Sequence, residues 1–86
     1  MALEPRQLRA FLAIVQTGSL GRAADTLHLT QPALSRLVKQ MEKQLRVQLF
    51  DRRTTGMELT SFGDALRPYA EHLVEHVQLG VAIDWL

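Results

Sequence analysis

The stretch Ser19–Leu45 carries two helix starts so close together that only a tight turn fits between them, and this constrains the fold more than any other feature of the chain. Ser19 is a good N-cap, and Leu20, Ala23, Ala24 and Leu27 follow it at the spacing of one buried helix face. Thr30 is a second N-cap, with Pro32 in the first turn, where a missing N–H does no harm. The helix it opens has an apolar stripe of Leu34, Leu37, Val38, Met41 and Leu45. Its other face carries Gln31, Ser35, Arg36, Lys39, Gln40 and Lys43. Two helices that cross closely need small residues at the contact, and Ala23-Ala24 supply them. Leu29, in the turn, joins Leu34 and Leu37 in seating the second helix on the rest. The pattern is that of a helix-turn-helix.

The remaining segments supply what such a unit leans on. Leu8, Phe11, Leu12 and Val15 form the one-sided pattern of a helix over Pro5–Thr17, with Pro5 in its first turn and Gly18 as its stop. His28, in the turn between the second and third helices, is expected to be a partly exposed packing residue. After the third helix, Leu49-Phe50 and Met57-Glu58-Leu59 read as short extended stretches around the connection Arg52-Arg53-Thr54-Thr55-Gly56. So small a hairpin must rest on the helices. Thr60 or Ser61 then caps a fourth helix; Ser61 followed by Asp64 resembles a capping box. That helix is expected to run to about Leu79, with a kink at Pro68 and a frayed end over Gly80–Leu86. The fold expected is mainly α: a winged helix-turn-helix of three helices and a β-hairpin wing over residues 1–59, then a long linker or dimerisation helix over 60–86.

The formal net charge of +1 hides an uneven distribution. Six bases (Arg36, Lys39, Lys43, Arg46, Arg52, Arg53) face two acids (Glu42, Asp51) between Gln31 and Arg53. From Pro68 onward there is no Lys or Arg, only Glu71, Glu75 and Asp84. A basic region beside an acidic tail points to a surface that meets a polyanion and a separate surface with another task. The chain has no cysteine, which excludes disulfides and thiolate metal sites. No apolar run reaches the roughly 18–20 residues of a membrane span, and the N-terminus lacks the basic start and apolar core of a signal peptide. A cytoplasmic protein is expected, with no cofactor and no membrane partner.

A polar, basic helix entered at a capped N-terminus suits the DNA major groove, which is about 12 Å wide. Gln31 can pair bidentately with adenine, and Arg36 with guanine O6 and N7 or with a phosphate. Ser35 can donate to a base edge or a phosphate, while Pro32 and Ala33 offer apolar contact to a thymine methyl. Thr30 at the cap and Lys39 on the same polar face complete the set, and Arg52 and Arg53 in the hairpin would position it.

The run Gly18-Ser19-Leu20-Gly21-Arg22-Ala23-Ala24-Asp25-Thr26-Leu27-His28-Leu29-Thr30-Gln31-Pro32-Ala33-Leu34-Ser35-Arg36 resembles the N-terminal signature of LysR-type transcriptional regulators. So do Leu45-Arg46-Val47-Gln48-Leu49-Phe50-Asp51-Arg52, Leu59-Thr60 with Gly63, and Leu66-Arg67-Pro68-Tyr69-Ala70. The resemblance spans about Leu8 to about Leu79 and implies a double-stranded DNA-binding module that works as a homodimer in bacterial transcription regulation. It implies that Gln31, Pro32, Ser35 and Arg36 face DNA, with Arg52 at the wing reaching a phosphate or the minor groove. Two departures stand out. Arg46 occupies a position where the family usually has the glycine that ends the reading helix, so it must adopt a left-handed cap or the helix must end differently. Thr54-Thr55 stand where relatives often carry another base. The family also implies a longer C-terminal effector-binding domain, which these residues do not contain, so that the chain is an excised portion or a naturally short relative; any small-molecule effector would act through that domain.

On the fourth helix, Leu66, Ala70, Leu73, Val77 and Gly80 recur at heptad-like steps, with Tyr69, Val74 and Val81 beside them. One stripe can pack on the winged domain while the other meets a second copy, so Leu66, Tyr69, Ala70, Leu73, Val74 and Val77 are the expected dimerisation residues. Trp85 is a boundary residue or a packing anchor. His72-Leu73-Val74-Glu75-His76 fits the H-x-x-E-H pattern of inverted zinc peptidases, yet a third ligand and a cleft for substrate are missing, so neither metal binding nor catalysis is expected. A competing reading is a truncated dimerisation module that modulates full-length regulators; such a module would not need the basic helix and wing.

Overall fold

The computed structural model describes residues 3–53 and 56–83, and on the last helix the side chains as far as Leu73. Four helices and one hairpin follow in the order α1 (Pro5–Thr17), α2 (Leu20–Leu27), α3 (Gln31–Leu45), β1 (Phe50–Arg53), β2 (Gly56–Leu59) and α4 (Ser61–Ile83). The winged helix-turn-helix expected from the sequence is the fold observed.

Helix α1 is the centre of the domain, packing against α2, α3, α4 and β2. It is accordingly buried on a wide arc, with Leu8, Ala10, Phe11, Leu12, Ala13 and Ile14 in the core and Val15 partly buried. Gly18 ends it in the left-handed region at φ 68°, its N–H donating to Ile14 O at 2.7 Å. Ser19 Oγ then accepts from Arg22 N at 3.2 Å, and α2 starts one residue on. Ala23 and Ala24 are the buried residues of α2, so its backbone lies close to its neighbours. Thr30 Oγ1 accepts from Ala33 N at 3.2 Å and starts α3, whose buried stripe is Leu34, Leu37, Val38 and Met41.

Two non-glycine residues close helices in the left-handed conformation, His28 at φ 58° and Arg46 at φ 59°. Arg46 thus takes the cap that a glycine would take more cheaply, its N–H donating to Glu42 O. His28 caps α2 in the same way and is exposed, which corrects the expectation of a packing residue.

The hairpin is antiparallel with Phe50 opposite Leu59, Asp51 opposite Glu58, Arg52 opposite Met57 and Arg53 opposite Gly56. Arg52, Arg53 and Gly56, assigned to the connection from sequence, are therefore strand residues. Phe50 anchors the hairpin, its ring 5.3 Å from that of Phe11 at an interplanar angle of 46°. Thr60, not a Ser61–Asp64 capping box, starts α4: its Oγ1 accepts from Gly63 N at 3.1 Å and donates to Gln48 O at 2.5 Å. Helix α4 continues to Ile83, past the end expected near Leu79. Its first half belongs to the core, since Ala70 is fully buried and Leu66 and Leu73 pack against the same cluster. Packing therefore crosses the boundary expected between residues 59 and 60.

Candidate nucleic-acid interface

The exposed face of α3 has two flanks. Gln31, Ser35 and Lys39 follow one another at i, i+4 spacing and turn toward the hairpin. Ser35 and Lys39 line a cleft with Leu20, Glu42, Arg52 and Met57. Gln31 lines an adjoining cleft with Ser19, Gly21, Arg52, Arg53 and Gly56. Arg52 borders both, so the fold brings it beside three residues of α3 from which it is distant in sequence. Arg36 and Ala33 lie on the other flank, with Leu29, Leu37 and Gln40. Pro32 is exposed in the first turn of α3. Thr30 is exposed too, but its hydroxyl oxygen already serves the Ala33 N–H, so its first role is the helix cap.

The two expected wing arginines differ. Arg53 Nε lies 2.5 Å from Glu58 Oε2, and both side chains are more than half exposed. The pair lies on the strand face that also carries Asp51, where two acids stand opposite one another. An exposed pair of this kind contributes about 0–1 kcal/mol, so it restrains Arg53 only weakly. Arg52, Arg36 and Lys39 form no ion pair among the described residues. Among the described residues Glu42 is the one acid lining the Ser35–Lys39 cleft, and its Oε2 accepts from Leu49 N at 2.7 Å and Phe50 N at 3.4 Å.

Those bonds have a positional consequence. They seat the start of β1 on α3, while Met57 N donates to Gly18 O at 3.1 Å and seats β2 on the α1–α2 junction. A side chain at Gly56 would run into the Gly18 carbonyl oxygen, and φ 134° there suits only glycine. With both strands held, Arg52 keeps a defined relation to Ser35 and Lys39. Gly21 makes a matching allowance at the front of the groove, because a Cβ there would lie 3.1 Å from Gln31 Nε2. Sequence reasoning missed the roles of Glu42 and Gly21. The close spacing of Glu42 to Leu49 across the helix end was the only available signal for the first, and Gly inside a helix for the second.

Of the expected dimerisation residues, Ala70 is wholly buried in the chain's own core and is not available to a second copy, a correction. Leu66 and Leu73 are partly buried on that same core, so their stripe is the one that faces the winged domain. Tyr69 is 61% exposed, and Phe62, seven residues earlier and absent from the expected set, is 56% exposed. The side chains of Val74 and Val77 lie outside the described residues, as do those of Glu75 and His76 and all of Trp85. Among the described residues no group of three or more His, Cys, Asp or Glu could hold a metal ion.

Comparison with known proteins places this geometry. The model of the bacterial regulatory helix-turn-helix proteins of the lysR family matches residues 5–64. An uncharacterized HTH-type transcriptional regulator from the ibpB-leuC intergenic region of Azotobacter vinelandii is 46% identical over 67 residues, covering 78% of this chain and 46% of that protein. The HTH-type transcriptional regulator HdfR of Escherichia coli is 43% identical over 72 residues, covering 84% of this chain and 26% of that protein. The chain thus spans from about a quarter to about half the length of these relatives. Among solved structures, a BenM_DBD/catB site 1 DNA complex matches with a TM-score of 0.89 at 36% identity, covering 94% of this chain and 91% of that one.

Proposed function

Because the chain belongs to the lysR family of bacterial regulatory helix-turn-helix proteins, we propose that it binds double-stranded DNA sequence-specifically, as the DNA-binding part of a transcription regulator acting as a homodimer. The observation that carries the reading is the placement of Arg52 beside Gln31, Ser35 and Lys39 along one side of α3. The helix enters the major groove, Gln31, Ser35 and Arg36 meet base edges, Pro32 and Ala33 meet thymine methyls, and Lys39, Arg52 and Arg53 meet phosphates. Similarity to a protein solved on DNA supports the same partner. The family is one of regulators rather than of enzymes. No helix among the described residues is long and apolar enough to cross a membrane, and a cytoplasmic place on the nucleoid goes with the reading. Any effector would act through a further domain of the longer regulator.

Gln31→Ala tests the reading role. After selection of a preferred site from random duplexes, this variant is expected to bind that site about ten- to a hundred-fold more weakly, the loss of one bidentate base contact. Its affinity for unrelated duplexes is expected to stay nearly constant. An unchanged ratio of specific to non-specific binding, measured by fluorescence anisotropy, would remove Gln31 from the reading set.

The dimer contact belongs on the exposed side of α4, where Phe62 and Tyr69 share a face at i, i+7 spacing. The double substitution Phe62→Ser and Tyr69→Ser is expected to convert the dimer to monomer by sedimentation and to leave the melting temperature of the domain little changed. A dimer that survives it places the contact farther along α4.

A further inference from the structure

Resting on that DNA-binding reading, we propose that Arg6, on the first turn of α1, contacts the phosphodiester backbone on the side of the reading helix opposite the wing. A helix lying in a groove about 12 Å wide has a phosphate strand on each side. The wing flank offers Arg52 and Lys39 to one strand. On the other flank, Leu29, Ala33 and Leu37 form the floor of a second cleft, and its polar rim is Arg36, Gln40 and Arg6. Among the described residues no acid lines that cleft. Arg6 also borders the neighbouring cleft of Gln7, Gln40, Lys43 and Gln44, where Glu4 is the one acid among the described residues. Arg6 is exposed and forms no ion pair among the described residues, so its charge is available.

The position of Arg6 is held by its neighbour. Gln7 is 4% exposed; its Oε1 accepts from Glu4 N at 2.9 Å and its Nε2 donates to Gln44 Oε1 at 3.0 Å. These bonds tie the first turn of α1 to the last turn of α3 across 37 positions of sequence. A buried amide bonded at both its oxygen and its nitrogen sets the two helix ends in one arrangement, and Arg6 is carried with them. A base held at the edge of the reading surface meets phosphate and not base edges, so its contribution is independent of DNA sequence.

The test compares two variants of equal charge in the whole 86-residue chain. Arg6→Gln removes the proposed contact. Arg9→Gln removes an exposed base of the same helix that lines neither cleft. Affinity for a mixed-sequence duplex is measured across a salt series, which needs no knowledge of the natural site. Arg6→Gln is expected to weaken binding several-fold at low salt and to make the slope of log affinity against log salt shallower by about 0.9, the loss of one phosphate contact. Arg9→Gln is expected to leave the slope at its wild-type value, and Arg6→Lys to restore it. Equal slopes for Arg6→Gln, Arg9→Gln and the wild type would overturn the inference and leave the DNA-binding function standing. A wild-type chain that binds no duplex would overturn the function itself, and the inference with it.

Discussion

Replacing Gly63 with alanine is expected to destabilise the domain by about 2–3 kcal/mol, the upper part of the range of an overpacked core site. For a domain of this size that lowers the melting temperature by roughly 10–20 °C. Gly63 is buried in the first turn of α4, and a Cβ there would overlap the Leu49 carbonyl oxygen and lie 2.7 Å from Leu59 Cδ2. The leucine methyl can turn away. The carbonyl cannot, because it accepts from Thr60 N at 3.0 Å while the Leu49 N–H is held by Glu42. Alanine would favour the helix itself by up to about 1 kcal/mol, which is smaller than the collision with a fixed backbone. Gly18→Ala provides the contrast. Nothing lies within 4 Å of a Cβ at Gly18, so only the left-handed conformation at φ +68° is charged for, at about 1 kcal/mol. Thermal melts of the two variants separate the effects, and equal losses would mean that α4 does not approach the Leu49 carbonyl as closely as described.

Glu42→Ala is expected to remove about 2–3 kcal/mol, the range for a charge-assisted hydrogen bond whose donors are left buried. Leu49 is 1% exposed and Phe50 7% exposed, so their N–H groups find no ready replacement in water. The 2.7 Å bond to Leu49 carries most of the effect, the 3.4 Å bond to Phe50 little. Glu42→Gln keeps an acceptor oxygen without its charge, and about half the loss is expected. Urea unfolding gives the magnitude, and faster amide exchange at Leu49 and Phe50 locates it. The sign of the change in DNA affinity is equally informative. Removing an acid from the cleft that holds Lys39 and Arg52 would strengthen binding if charge alone mattered. A loosened seat for β1 frees Arg52 from its place beside Ser35 and Lys39, and weaker binding is expected.

Much of the outer face of α3 was legible in the sequence. Ser19 and Thr30 announce α2 and α3, Gly18 ends α1, and the 3.6-residue stripes pick out Phe11, Leu34 and Met41 as core. The polar face from Gln31 to Lys39 follows from the same stripe, since whatever does not pack must face outward. Less legible were the strand limits, because Arg52 and Arg53 have the composition of a loop and are held in β1 by pairing with Met57 and Gly56.

The helix-turn-helix, its caps and the residues of its outer face follow from local signals alone, because caps and periodicity act within one or two turns of the chain and need no distant partner. Which arginine is free and which is paired, Arg52 or Arg53, was decided by the register that sets Glu58 within reach of Arg53. That Ala70 serves the chain's own core, and that Phe62 and Tyr69 are left outside, was decided by the face α4 turns toward α1. Arg6 acquired a place beside α3 through the packing of α1 on α3 and the bond between Gln7 and Gln44. In each case the deciding contact joins residues of different elements, and such contacts exist only once the elements have paired or packed.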